Sequence, residues 1–416
     1  MKITLVLLNI FFCTTLVTAQ WYDVPVFSND KLNEIDFPSN SVGYIVGDST
    51  TIFKTTNGGE SWFELIHSGL PNNAFSHQIV DVKFVDEQIG FIAILNDNDG
   101  VYKTVDGGLN WFPASNSGSN MCYKSSLFVN SEDNYFIGGA GCFQSGQIDH
   151  FSSSSWSSSI VNYESFNPDE YIVEMDFNGN VGIAVMNGQS FLRSVDNGAT
   201  WDEIPSMFTG DRKLTSVMFA SADTVFAGYE EPILPGFGFL ISTDAGLTWQ
   251  NQSTIGFFYP AARGFAKSAS GDLYAGGIGV NDFGIIFESD DWLNWSETIV
   301  DHALNGMGGY DEVMFAVGDN GYVIVNALFG GVGVEELNSN QLNIYPNPTK
   351  GVFTVERADT EPLILEVVDV YGNQLESLIE FTSLKLELDI THLPDGVYFI
   401  HTSNGISSTS SRILKF

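Results

Sequence analysis

The side chains in this chain that could act on a ligand are few, and they sit in loops. Asp211, Glu230, Glu231 and Asp301 are carboxylates of the kind that work in pairs, one as acid and one as base, yet no spacing selects two of them and no catalytic residue is assigned. Aromatic pieces lie nearby: Phe257-Phe258-Tyr259-Pro260 followed by Arg263, and Glu230-Glu231-Pro-Ile-Leu-Pro-Gly-Phe237, with Arg212 upstream. Exposed rings beside a few polar groups suit sugar rings or peptide side chains, so Phe237, Phe257, Phe258, Tyr259, Arg212 and Arg263 form the candidate ligand-binding set. The plainer alternative is that these rings turn inward and fill the core. The run Asn96-Asp97-Asn98-Asp99-Gly100 offers oxygen ligands to calcium but lacks the rest of a calcium loop, and it reads as a turn. The six histidines lack metal-ligand spacing, so neither a metal nor a cofactor is expected.

A repeated scaffold must position these loops. Tryptophan recurs at Trp21, Trp62, Trp111, Trp156, Trp201, Trp249 and Trp295, a period of 41 to 49 residues. Five of these close one phrase: Thr55-Thr-Asn57-Gly-Gly59-Glu-Ser61-Trp62, Thr104-Val-Asp106-Gly-Gly108-Leu-Asn110-Trp111, Ser194-Val-Asp196-Asn-Gly198-Ala-Thr200-Trp201, Ser242-Thr-Asp244-Ala-Gly246-Leu-Thr248-Trp249 and the decayed Glu288-Ser-Asp290-Asp-Trp292-Leu-Asn294-Trp295. Each phrase lies between an apolar run and a Trp-led strand, which places it at a hairpin turn. An Asp or Asn side chain accepts backbone N–H groups there, glycine supplies positive φ, and Ser or Thr completes the network. Asn57, Asp106, Asp196, Asp244 and Asp290 are therefore read as structural, with Trp62, Trp111, Trp201, Trp249 and Trp295 as packing anchors.

Two further apolar strands precede each hairpin, and four short strands repeated at this period make a propeller blade. The third unit reads His150-Phe-Ser-Ser-Ser-Ser-Trp156 in place of the phrase, so a looser hairpin is expected there. The last unit lacks a tryptophan strand, while Trp21-Tyr-Asp-Val-Pro-Val26 looks like a fourth strand without its blade. Joining the two ends removes open sheet edges. The expected fold is all-β, a seven-bladed β-propeller over residues 20–329 followed by a small Ig-like β-sandwich. Ligands are expected on the face opposite the phrase-bearing hairpins, built from the loops between blades and between second and third strands.

The five phrases resemble the Asp box, S-x-D-x-G-x-T-W, of the bacterial neuraminidase repeat, which recurs in sialidases, sortilin-type receptors and photosystem II assembly factors. The resemblance implies a folding element remote from any active site. A sialidase would also need an arginine cluster for a substrate carboxylate. The propeller region holds only Arg193, Arg212 and Arg263, with Arg193 beside a box, and the N-terminal arginine motif is absent. The stretch from Val46-Gly-Asp to Trp62 is similar to the V-G-x-x-G-x-I-x-x-T-x-D-G-G-x-W blades of photosystem assembly factors. Hydrolases of the xyloglucan type usually carry two propellers, and this chain has room for one. The favoured reading is a non-catalytic binding propeller for a glycan, polymer or surface protein. A glycoside hydrolase of sialidase-like or xyloglucanase-like type is the alternative.

The two ends carry the address. Residues 1–19 contain one lysine, an apolar run over 5–17 and a small-residue site ending at Ala19, which reads as a cleaved secretory signal; no segment is long enough to span a bilayer. Residues 330–341 are glycine-rich and then polar, a linker. Residues 342–416 carry Tyr345-Pro-Asn-Pro348, Asp369-Val-Tyr-Gly372, Leu393-Pro-Asp-Gly396-Val-Tyr398 and a basic end. These look like the type A C-terminal sorting domain of the Bacteroidota type IX secretion system. That resemblance implies the secretion machinery and its sorting protease as partners, and release or surface attachment outside the cell. In an oxidising compartment Cys122 and Cys142, both in one blade, are expected to form a disulfide. The net charge of −35 and the lack of a basic stripe argue against nucleic acid.

Overall fold

The computed structural model describes residues 21–416 apart from 27, 72–76, 96–99, 115–120, 143–145, 161–170, 189, 205–211, 231–237, 253–261, 280–281, 328–342, 347–348, 357–362, 369–374, 376–378, 382, 395 and 404–407. The signal segment, the linker and the Asn96–Asp99 turn therefore lie outside the described residues. The chain divides into two units between residues 329 and 330.

The first unit is a ring of seven antiparallel sheets of four strands each. The innermost strands are Leu32–Asp36, Gln78–Phe84, Met121–Ser131, Ile172–Asn178, Lys213–Phe219, Ala262–Lys267 and Leu304–Tyr310, numbered here as blades 1 to 7. Blade 7 takes its fourth strand from the N-terminus: Tyr22 pairs with Val325 and Asp23 with Ile324. Second strands are covered by neighbouring sheets on both faces, so they read as continuous apolar runs. Tyr44, Ile45 and Val46 are fully buried, as are Phe91, Ile92 and Ala93.

In the intact boxes the hydroxyl of the first residue, Thr55, Thr104, Ser194 or Ser242, donates at 2.8 Å to Oδ1 of Asn57, Asp106, Asp196 or Asp244. That hydroxyl accepts the N–H of the box glycine, and the Asx oxygen accepts the N–H four residues on. Each box then docks on the preceding blade. Gly59 sits at φ +89 with its α-carbon against Phe315 of blade 7, and a Cβ there would come within 2.3 Å of that ring. Cations on the third strand hold the neighbouring box: Lys54 donates to the Gly107 carbonyl at 3.1 Å, and Arg193 to that of Ala245 at 2.7 Å. Lys103, at the same place in blade 2, faces the blade without a box and pairs with Glu132 instead.

Two expectations change. The fifth box, in blade 6, is built on Asp291, not Asp290. Ser289 ends its strand, its hydroxyl donates to Asp291 Oδ1, and that oxygen accepts the N–H of Leu293 and Asn294 at 2.8 and 2.7 Å. The loop is one residue shorter than the others, which moves the acceptor one place along. The boxless hairpin of blade 3 is tight rather than loose: Ser153 and Ser154, both at positive φ, join strands paired from Ser152–Ser155 to Gln147–Ile160. In the same blade Cys122 and Cys142 are bonded, with Cα atoms 4.8 Å apart, beside the Met121–Gly141 pair. Replacing Asp291 with alanine is expected to lower the melting temperature, and Asp290→Ala to leave it close to unchanged. Equal losses in calorimetry would restore the longer register.

The second unit has a sheet of three strands and one of four, enclosing one core of Phe353, Val355, Leu365, Val367, Leu388, Ile390, Tyr398, Ile400 and Ile413. The Tyr398 hydroxyl donates to the Pro394 carbonyl at 2.5 Å, closing the turn of the Leu393–Tyr398 motif. The final strand reaches back to the other motif, where Lys415 bridges to Thr349 and the Phe416 N–H donates to the Thr349 carbonyl.

Candidate binding site on the propeller axis

Every innermost strand carries a β-bulge at the same place. The pairing to the second strand skips Asn33, Val80, Ser125, Val173, Thr215, Arg263 and Asn305 in blades 1 to 7 in turn. A bulge re-aims a side chain. All seven line one cavity of about 330 Å³, together with Lys31, Glu34, Asp81, Leu95, Tyr123, Tyr171, Glu174, Asn187, Leu214 and Glu230. The cavity therefore lies on the axis, where all blades meet.

Polar bulge residues also latch one blade to the next. Asn33 donates to the Ile79 carbonyl at 2.9 Å, Ser125 to that of Ile172, Thr215 to that of Ala262 at 2.5 Å, and Asn305 to that of Leu32 at 3.0 Å. Arg263 donates to Asn305 Oδ1 at 2.9 Å. In blades 2 and 4 the bulge residue is valine, which cannot donate. There the carboxylate one residue on takes over: Asp81 accepts the Leu127 N–H at 2.7 Å, and Glu174 accepts the Val217 N–H at 2.8 Å. Asp36 and Asp176 hold Phe84 N–H and Phe219 N–H in the same manner, each at 2.7 Å.

Glu34 occupies the position of Asp81 and Glu174, but Asn33 already supplies the latch of blade 1. Its Oε1 accepts only the adjacent Ile35 N–H, at 3.0 Å, among the described bonds. Gly306 of blade 7 leaves space for it, since a Cβ there would stand 3.1 Å from that oxygen. Burial pushes the Glu34 carboxyl up to about 7, with Asp81 and Asp36 adding to the rise and Lys83 opposing it. Burial likewise raises Asp36, Asp81 and Asp176, and Glu174 well above the usual range. Lys83 is the ammonium among these five acids. Burial works against its charge, but Asp81, Glu34, Asp36 and Glu174 outweigh that and keep it protonated. Its Nζ stands 3.8 Å from Asp81 Oδ1, beyond hydrogen-bond reach, and that oxygen is buried without a hydrogen-bond partner. The acids are distributed around the ring, and no group of three or more ligating side chains converges on a metal position among the described residues.

Of the residues singled out from sequence, Arg263 and Glu230 line the cavity. Burial lowers the Arg263 pKa, against the pull of Glu230 and Asp319. Arg212 does not line it; its guanidinium lies 5.2 Å from the Tyr229 ring centre. Phe237, Phe257, Phe258, Tyr259, Asp211 and Glu231 lie outside the described residues. The other ring members went unread because Asn, Val, Ser, Val, Thr, Arg and Asn share no chemical signature. Their common property is a pairing irregularity, which only the strand register shows.

Residues 343–415 match the family described as a secretion system C-terminal sorting domain. No curated protein matches the chain. Among solved structures, YCF48 from Cyanidioschyzon merolae is similar at a TM-score of 0.58 and 15% identity, over 73% of this chain and 98% of that one. A structure described as YCF48 bound to D1 peptide gives 0.54 and 16% over 74% and 97%. The GH74 xyloglucanase of Xanthomonas campestris gives 0.54 and 13% over 82% of this chain and 60% of its own. At these identities the likeness establishes the fold alone. The chain is thus a seven-bladed β-propeller followed, over residues 343–415, by a secretion system C-terminal sorting domain.

Proposed function

We propose that this protein is an exported binding propeller that holds its ligand, without chemistry, in the axial cavity. The observation that carries the reading is the ring of bulges: all seven blades turn one side chain into the same space. Four of the six acids in or near that space, Asp36, Asp81, Glu174 and Asp176, are occupied as acceptors of backbone N–H groups from the next blade, which is a structural use of a carboxylate. A peptide or protein ligand is favoured by the neighbour described as bound to a peptide. Leu95→Trp places a bulky ring at the cavity wall. Peptide and glycan arrays probed with the full chain are expected to give hits that this variant loses; hits that survive it would place binding elsewhere.

Glycoside hydrolysis remains a second reading because of one group. A carboxyl that holds its proton up to about 7 is the type a glycosidase uses as general acid, and Glu34 is such a group in a cavity. Release of reducing sugar from xyloglucan that Glu34→Gln abolishes would establish it.

The sorting domain implies export to the cell surface or beyond. We infer that cleavage near Ala19 precedes passage through the outer-membrane translocon, with removal of residues 342–416 by the sorting protease. Deleting residues 342–416 is expected to abolish appearance outside the cell while the propeller keeps its melting transition. Unchanged export of the shortened chain, read by fractionation, would remove the sorting role.

A further inference from the structure

We infer that the axial cavity receives the basic side chain of a peptide, a lysine or arginine whose alkyl stem lies against the valine bulges and whose charged head meets Glu34 and Asp81. This rests on the reading of the cavity as the binding site and names what enters it.

Three observations on this structure support the inference. The first is charge: the cavity lining carries Glu34, Asp81, Glu174 and Glu230 against the two cations Lys31 and Arg263, and Asp36, Asp176 and the Lys83 ammonium stand close behind it. The second is an unmet acceptor. Asp81 is 7% exposed and lines the cavity, and its Oδ1 is buried with no hydrogen-bond partner. Lys83 stands 3.8 Å from it as an ion-pair partner only, and a buried oxygen that no donor reaches is costly until something donates to it. The third is the wall. Val80, Val173, Leu95 and Leu214 form an apolar collar on the same cavity, which fits a methylene stem ending in a cation. An amino sugar would set hydroxyls against that collar. A metal ion is disfavoured by the spread of the acids around the ring.

Glu34 is free for this role because Asn33 makes the blade contact that Asp81 and Glu174 make elsewhere. The groups facing it are Asp36 on its own strand, Asp81 and Lys83 from blade 2, Glu174 from blade 4 and the uncharged Gly306 of blade 7, with Lys31, Glu230 and Arg263 on the same cavity wall. A cation favours the ionised carboxyl, so binding should release a proton and tighten as pH rises through the Glu34 transition.

The test is calorimetric titration of the full chain with the peptide Gly-Gly-Lys-Gly-Gly, with the same peptide acetylated on lysine, and with a glucosamine oligosaccharide. Affinity for the lysine peptide should rise by up to about a hundredfold between about pH 5 and about pH 8, since each pH unit below a controlling pKa is worth about tenfold. Acetylation should abolish binding. Glu34→Gln, which keeps the bond to Ile35 N–H, should flatten the pH dependence and weaken binding about tenfold at the higher pH. Leu95→Trp should block it. Equal binding of the acetylated peptide, preference for the amino sugar, or an unchanged pH profile in Glu34→Gln would each overturn the inference. Array hits lost in Leu95→Trp alongside failure of the lysine peptide would remove the cation but keep the cavity as the site. Hits retained in that variant would remove the site itself.

Discussion

Replacing Trp111 with alanine is expected to destabilise the propeller by about 4 kcal/mol, the range for deleting a fully buried large aromatic. Trp111 is 2% exposed and packs between blades 1 and 2 with Tyr44, Ile52, Leu65 and Ile92; the ring of Phe84 meets it edge-on at 6.2 Å. Its indole N–H has no hydrogen-bond partner among the described residues, so nearly all of the loss is packing. Trp201 makes the useful contrast. It is only partly buried, and its N–H donates to the Gly198 carbonyl at 3.1 Å within its own box. Trp201→Ala should therefore cost less. Denaturant unfolding followed by far-ultraviolet circular dichroism reads both. Equal losses would mean that the tryptophans act through their boxes and not through the interface between blades.

The second large effect is on pH. Glu34 rises from an ordinary value of 4.5 to about 7, so the folded chain holds a proton in that interval that the unfolded chain gives up. A carboxyl raised in this way contributes stability that is fully present below its unfolded value and lost as pH rises through its folded value. For Glu34 alone the loss is on the order of 3 kcal/mol. Asp36, Asp81, Glu174 and Asp176 shift in the same direction. The box aspartates act oppositely. Hydrogen bonds from Asn110 and Thr200 lower Asp106 and Asp196, Thr248 lowers Asp244 against the effect of burial, and the backbone N–H of Asn294 leads those that bring Asp291 to about 2. Their stability is present above the ordinary carboxylate range and lost as pH falls through these lowered values. The melting temperature should therefore peak on the mildly acid side and fall from about pH 5 to about pH 8, less steeply in Glu34→Gln. A melting temperature that rises across that interval would contradict this account.

The tryptophan period and the boxes were legible because a box is a local object. Its bonds run between residues two and four apart, and the residue types that make them are few. The misplaced box of blade 6 marks the limit of that legibility. Glu288, Ser289, Asp290 and Asp291 offer two plausible frames, and which residue ends the strand decides between them. The closing strand at Tyr22–Asp23 could be anticipated from what the last blade lacked. The axial site was largely hidden. Its latches join residues 43 to 48 positions apart, or 273 where Asn305 closes the ring onto Leu32, and valine in two blades shifts the duty to the next carboxylate. Only Arg263 and Glu230 of the cavity were legible, because both border loops, whereas Glu34, Asp81 and Glu174 lie inside strands where the bulge that re-aims their neighbours leaves no mark in the sequence. The motifs of the second unit were readable for the same local reason as the boxes: Tyr398 closes a turn with a carbonyl four residues back.

The closure of the ring also decides how the propeller responds to tension. The chain leaves it after Val323–Val325, a strand hydrogen-bonded to Val313–Gly318 on one side and to Tyr22–Asp23 on the other. A pull on the chain where it leaves the ring therefore loads two ladders rather than peeling an edge strand one bond at a time. The N-terminal strand, the shortest in its sheet, works as a mechanical clip on the exit strand. If the exported protein is tethered through its tail, this clip is what resists the drag on whatever the propeller holds.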